Sequence, residues 1–451
     1  MWSSEREETE LEPGRLPARE WSRYWGVRFR TRERLARSLL VVPCAYIVGA
    51  FVLAEWLTSL ETNRDLLSVG IDADSARTML SSVASGMIAF TGLVVSIAVV
   101  VVQFGASQYT PRLVNGFRRD PRVKHSLGIF IAPAIYALVA LPKIGQHHSR
   151  FVPGLTMGVS LLLLLAAVIA FFLLVAGLLD LLRPRRVIGR VVTQAVSAIR
   201  QTYPRAERSG SIASPPDEPV SDSIRHLGGP GVVSALDRGR LVRAARAADA
   251  TVQVCVPVGG YVPRGAPLFL VRGESNGVDV HELRRSVIFA EERTITQDPA
   301  FAIRAIVDLA LRALSPAVND PTTAVQALDG LDSMLGELAS RDLTGHGVVV
   351  DVHERVRLVY PTPAWSDLLE LSLTEIRRYG ADTPQIPRRM RALLERLLTV
   401  APEDRHELIR LQLSRLDDAI DAAYPDAAER TLARQADPLG LGSSTVSSAE
   451  A

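Results

Sequence analysis

Residues 154–182 read "GLTMGVSLLLLLAAVIAFFLLVAGLLDLL", and Asp180 is the only ionisable residue among them. A bilayer core takes about 20 apolar residues in helical form. This stretch exceeds that, so it predicts a transmembrane helix. Three earlier runs extend the pattern. Residues 37–58 read "RSLLVVPCAYIVGAFVLAEWLT", residues 79–102 contain "GMIAFTGLVVSIAVVVV", and residues 126–141 read "SLGIFIAPAIYALVAL". The third run is short and holds Pro133, which suggests a kink or a partly re-entrant segment. Four spans are expected.

The remaining composition narrows the function classes. The chain has 451 residues and a net charge of +2, which argues against nucleic acid as a partner. Lys124 and Lys143 are the only lysines; the other cations are arginines. Cys44 and Cys255 lie far apart and form no CxxC pair, so Cys-based zinc sites are excluded and no metal site or cofactor is expected. The mean hydropathy of +0.15 comes from the first two-fifths of the chain.

Arginine asymmetry predicts orientation. Residues 1–36 are polar, carry no signal-peptide-like apolar run, and hold Arg19, Arg23, Arg28, Arg30, Arg32 and Arg34. The first loop is poorer in arginine and richer in acids. The second holds Arg112, Arg118, Arg119, Arg122 and Lys124, the third only Lys143 and Arg150, and Arg183, Arg185, Arg186 and Arg190 follow the fourth run. This alternation predicts both termini in the cytoplasm. In the second loop, Thr110 and Pro111 fit an N-cap and first helical position. The segment reads either as an interfacial helix touching anionic lipid through Arg112, Arg118 and Arg119, or as a packed connector.

The rest of the chain predicts a cytoplasmic α+β domain. Residues 183–230 are a basic flank and a Pro/Ser-rich linker, 231–275 a small β-module, 281–430 a mostly helical region, and 431–451 a disordered tail. "VPRG" at 262–265 reads as a hairpin turn. "GGYVPRGAPL" is similar to small barrels that carry biotin or lipoate, but no lysine stands at the turn to serve as an attachment point. In "DPAFAIRAIVDLALRAL", Asp298 is the expected N-cap, and Arg304, Asp308 and Arg312 share a face. "SPAVNDPTTA" at 315–324 then stops one helix and starts another, with Asp320 as N-cap and Leu328, Leu331, Leu335 and Leu338 as the next apolar stripe. Asn319, Asp320, Thr322 and Thr323 are ligand or subunit-contact candidates there, because a helix N-terminus offers free N–H groups. The structural corner is the simpler reading.

Three stretches carry a family resemblance: "QFGASQYTPRLVNGFRRDPRVKHSLGIFIAPAIYALVAL", "GGYVPRGAPLFLV" and "ERTITQDPAFAIRAIVDLALRALSPAVNDPTTAVQALDGL". They resemble the bacterial membrane proteins catalogued as domain of unknown function 2254, across residues 35–430. The resemblance implies an integral inner-membrane protein with a cytoplasmic C-terminal domain and no established activity. Two departures stand out: "LLDLLRPRRVIGR" lacks histidines associated with that position, and the Pro/Ser-rich linker is long.

Enzyme signatures are weak. "GESNG" at 273–277 fits GxSxG, with Ser275 as nucleophile, but no α/β sheet or following helix is suggested. His281 and His406 each begin "HEL" without completing HExxH, and His147 and His148 read as a solvated loop pair. The second span is more informative. Ser82, Ser85, Ala89, Gly92, Ser96 and Gln103 form a small, polar stripe that suits close helix packing or, in a homo-oligomer, pore lining. The expectation is an oligomeric channel-like protein with a cytoplasmic regulatory domain. The alternatives are a non-conducting anchored sensor or scaffold and, more weakly, a membrane-bound hydrolase.

Overall fold

Among the described residues, four helices are long and apolar enough to cross a membrane, with candidate spans Val41–Glu61, Ala73–Val101, Pro121–Lys143 and Gly154–Asp180. A computed structural model describes residues 38, 40–64, 72–108, 121–144, 154–181, 183–203, 218–273 and 277–442. These divide into two compact units, with the boundary between Arg186 and Val187.

The membrane unit contains α1 (Val41–Arg64), α2 (Ala73–Gln108), α3 (Pro121–Ala140) and α4 (Gly154–Leu181). The third helix is the central one and packs against each of the other three. Half of its span is buried, against about a fifth of the others. A helix surrounded by protein needs small residues more than lipid-facing leucines. Ala132, Ala134, Ala137 and Ala140 are buried in it. At Gly128 the α1 side chain Tyr46 comes so close that a Cβ would lie 2.3 Å from its ring. Pro133 lies inside the continuous helix, which a short turn at Leu141–Lys143 follows, so the apolar segment runs on through the proline.

Charges at the helix ends are matched. Lys143 pairs with Glu55 and donates to Thr58 Oγ1 at 3.1 Å. The buried Glu61 carboxylate accepts from Leu155 N at 2.6 Å, Thr156 N at 3.1 Å and Thr156 Oγ1 at 2.5 Å. It therefore caps the first turn of α4 from another helix, where the positive end of the dipole favours an anion. Asp180 pairs with Arg186 and lies 3.9 Å from Arg122.

The second unit mixes sheet and helix. Helix α5 (Pro184–Thr202) starts just before the boundary and buries Ile188, Val191, Ala195, Ala198 and Ile199. Where sequence suggested only a basic flank, an amphipathic helix belongs to the core. Its last carbonyls are gripped by arginines: Arg238 donates to Gln201 O and Thr202 O, and Arg341 donates to Tyr203 O at 3.1 Å. Strand β1 (Val220–Arg225) begins inside the expected linker.

Strands β2 (Gly231–Leu236), β3 (Thr251–Val254), β4 (Tyr261–Val262), β5 (Pro267–Arg272), β6 (Val287–Ala290), β7 (Thr344–Val350) and β8 (Val356–Ala364) complete two sheets. One is ordered β1-β5-β3-β8-β7, the other β4-β2-β6. Among the described residues only β3 and β8 pair in parallel, with Val252 opposite Leu358. The expected β-module is therefore not separate, because a hairpin from the later region completes its sheet. The "VPRG" turn also does not close a hairpin. β4 pairs with β2, whereas β5 pairs with β1 and β3. Gly265 N donates to His226 O at 2.8 Å, and His226 N donates to Ala266 O at 2.9 Å. These bonds tie the turn to the segment joining β1 and β2, where the chain likewise changes sheet.

Short helices α6 (Arg238–Ala247) and α7 (Val280–Arg285) lie among the strands. The larger helices are α8 (Pro299–Ala313), α9 (Pro321–Ala339), α10 (Trp365–Gly380), α11 (Gln385–Val400) and α12 (His406–Ala423), followed by α13 (Ala427–Ala433). Leu328, Leu331, Leu335 and Leu338 are fully buried, as their spacing predicts. The tail expected to be disordered from 431 packs as far as 442. Asp437 accepts from the N–H groups of Leu439, Gly440 and Gly442, and the buried Arg388 donates to Gln435 O and Gly442 O.

Candidate functional site: the outward face of the second span

Helix α2 has 36 residues and is about 54 Å long at 1.5 Å per residue, well beyond a hydrocarbon core of about 30 Å. Ala76, Leu80, Ala84, Met87, Val94 and Ala98 are buried, at steps of three, four and seven that mark one helix face. All but Ala98 belong to clusters shared with residues of α3 and α4.

The predicted stripe lies elsewhere on the helix. Ser82, Ser85, Ala89, Gly92, Ser96 and Gln103 are all exposed. None therefore serves as the buried seam among the chain's own spans. A Cβ at Gly86 or Gly92 would meet nothing within 4 Å. Ile88, Leu93, Val95, Val99 and Val100 are also exposed along this helix, giving it a mixed polar and apolar surface.

The hydroxyls have a shared geometry. Ser82 donates to Thr78 O at 2.8 Å, Ser85 to Ser81 O at 2.8 Å, and Ser96 to Gly92 O at 3.0 Å. Each proton is held by the preceding helical turn, leaving oxygen lone pairs outward. At the amino-terminal end the stripe meets an open cleft of about 560 Å³, lined by Arg77, Thr78, Ser81, Ser82, Leu141 and Pro142. Neither this cleft nor the Glu61 cap was recognised from sequence. The cap's partners lie about 95 positions apart, although an acidic residue at the end of an apolar run is a usable signal.

The "SPAVNDPTTA" corner is a cap. Asp320 accepts from Thr323 N at 3.0 Å and Thr323 Oγ1 at 2.5 Å. Asn319 adopts φ +48°, and Asp320 N donates to Ala313 O at 2.8 Å. Asn319 and Thr322 are exposed, whereas Thr323 is buried. The Asp320 carboxylate already occupies the helix end where an anion would sit.

Residues of the neighbouring family-specific stretch hold the β-strands. Gln297 Oε1 accepts from Leu236 N at 3.0 Å, Thr294 hydrogen-bonds Ser234 at 3.3 Å, and Asp298 accepts from Phe301 N and Arg293. Burial pushes the Asp298 carboxyl up, against the pull of Arg293. Arg304 pairs with Asp308, as its spacing predicts, and also with Glu375 on α10.

Ser275, Arg112, Arg118, Arg119, His147 and His148 lie outside the described residues. Strand β5, which precedes Ser275, has antiparallel partners on both sides. That differs from the α/β sheet that supports a nucleophile elbow.

The family described as "Predicted membrane protein (DUF2254)" matches residues 36–396. The chain belongs to this family. An uncharacterized protein of Mycobacterium bovis and one of Mycobacterium tuberculosis are each 29% identical to it over 370 residues, covering 79% of this chain and 70% of the relative. No solved structure matches. In this DUF2254 protein the match takes in the four candidate spans and continues through α8 and α9 into α11.

Proposed function

We propose that the protein is a homo-oligomeric, channel-like component of the bacterial inner membrane. In this reading the second span of each copy turns its polar face toward the other copies and lines a narrow path between them. Both termini are cytoplasmic, and the mixed sheet-and-helix unit is a regulatory domain. One observation carries the reading: the stripe from Ser82 to Gln103 is exposed, while a different face of the same helix is buried against α3 and α4. Lipid gives polar side chains no partners, whereas another copy or a water-filled path does. The alternation of basic flanks supports the orientation.

The inward-bonded hydroxyls favour a second reading as well. Their protons need no water, so the same face would suit a dry contact in a non-conducting anchor with a sensor or scaffold domain. Both readings place copies of α2 side by side. In a Cys44→Ala background, cysteine at Gly92 or Ser96 should give disulfide-linked dimers in native membranes, while cysteine at buried Leu80 should not. Equal cross-linking at all three positions, or none with the protein properly inserted, would remove the shared interface.

A further inference from the structure

The cleft at the amino-terminal end of α2 shares Ser82 with the stripe, and it adds Arg77, Asp74 and Thr78, which the oligomer reading does not use. Arg77 is one turn into the helix, near the start of its candidate span. Its guanidinium is anchored by one arm, Nη2 donating to Ile144 O at 2.7 Å, and its side chain is 48% exposed. Asp74 Oδ1 lies 3.6 Å from Nη1 and is itself almost fully exposed. A guanidinium carries five N–H groups, so donors remain for a phosphate oxygen.

The hydroxyls beside it act in the opposite sense. Thr78 Oγ1 donates to Asp74 O at 2.8 Å, and Ser82 Oγ donates to Thr78 O at 2.8 Å. Their protons are held internally, so each offers lone pairs to an incoming donor. Leu141 and Pro142 give the cleft an apolar wall. Leu138, one turn deeper, is also exposed to the surroundings of the helix. The cleft therefore joins a phosphate donor, acceptors for an ammonium group, and an apolar exit.

We propose that this cleft binds a phosphoethanolamine headgroup, as carried by phosphatidylethanolamine. The phosphate sits on the Arg77 fork. The primary ammonium turns toward the Asp74 carboxylate and the Thr78 and Ser82 oxygens, and the chains leave past Leu138. A choline headgroup fits less well, because its quaternary nitrogen has no N–H to donate. A glycerol headgroup lacks the positive charge that Asp74 complements.

The test uses the full chain in detergent, mixed with phosphatidylethanolamine, phosphatidylcholine or phosphatidylglycerol of identical acyl chains, and reads retained lipid by native mass spectrometry. Phosphatidylethanolamine should be retained over each of the others by about tenfold, the order of one charge-assisted hydrogen bond. Ser81→Trp fills the cleft without removing the Arg77 bond to Ile144 and should abolish the preference, as should Arg77→Gln. Competition with water-soluble glycerophosphoethanolamine separates the sources: displacement shows that the headgroup suffices, and failure to displace assigns the site to the lipid. Equal retention of the three lipids, or a preference unchanged in Ser81→Trp, would overturn the proposal. Oligomer size in the same spectra is a separate readout, so a lost lipid preference is distinguishable from a lost assembly.

Discussion

Gly259 occupies φ +85°, and a Cβ there would lie 2.2 Å from Asp298 Oδ2 and 2.5 Å from Arg293 Nη2. Gly265 has a similar φ of +83° but open space around it. The pair separates backbone strain from steric overlap. Gly265→Ala should cost about 1 kcal/mol, whereas Gly259→Ala should cost at least roughly 2 to 3 kcal/mol because the ion pair must also move. Urea unfolding of the two variants checks the order, and equal losses would contradict the close approach. Asp351 offers a second test. Burial pushes its carboxyl up, but hydrogen bonds from Arg357 and from the N–H groups of His353 and Arg355 outweigh this and hold it at about 2. An unfolded aspartate titrates near about 3.9. The folded value is the lower one, so the stabilisation is complete above roughly pH 4 and is lost as the pH falls toward the folded value. Asp351→Asn should remove roughly 1 to 2 kcal/mol at neutral pH and flatten the acid limb of stability against pH. An unchanged acid limb would show that this carboxylate does not hold the β7–β8 turn.

The α8–α9 corner was legible at the element scale because its signals are local. Asp320 before Pro321 specifies a cap, and the leucines from 328 to 338 specify the face that packs. Asp320→Ala should lower stability by about 1 kcal/mol, the usual worth of an N-cap, measurable by thermal unfolding of the full chain. A gain in stability would point to anion repulsion rather than capping. Other elements depended on distant partners and could not be read in the same way. Nothing within "GGYVPRGAPL" says that Tyr261 pairs with Val232 while Pro267 pairs with Arg225. Likewise, β8 reaches β3 across about a hundred residues, so no local alternation reveals their parallel register. The order at 437–442 depends on Arg388 from another helix. Arginine composition was legible, but its use was not. Arg389 binds Asp329 at 2.7 Å and Asp332 at 2.9 Å, and Arg405 binds Leu338 O at 2.8 Å and Ala339 O at 2.9 Å. A planar fork serves two acceptors at once in ways a lysine does not.

At the scale of the whole molecule, hydropathy alone located the membrane unit, and its shortest run proved to be the central helix. The stripe on α2 was also visible in sequence, because its residue types and spacing suffice to define it. Its exposure was not, since that depends on which face α3 and α4 cover. The account predicts that this face lies between copies around a conducting path. Conductance of purified protein in planar bilayers tests this most directly, with wild type beside Gly92→Leu and Ser96→Leu, and with oligomer mass and membrane insertion measured on the same preparations. Reproducible unitary currents in the wild type, lost in both variants at unchanged oligomer mass, are the predicted result. A silent wild type across voltage and tension, with reconstitution demonstrated, would contradict it and leave the anchored sensor or scaffold as the better reading.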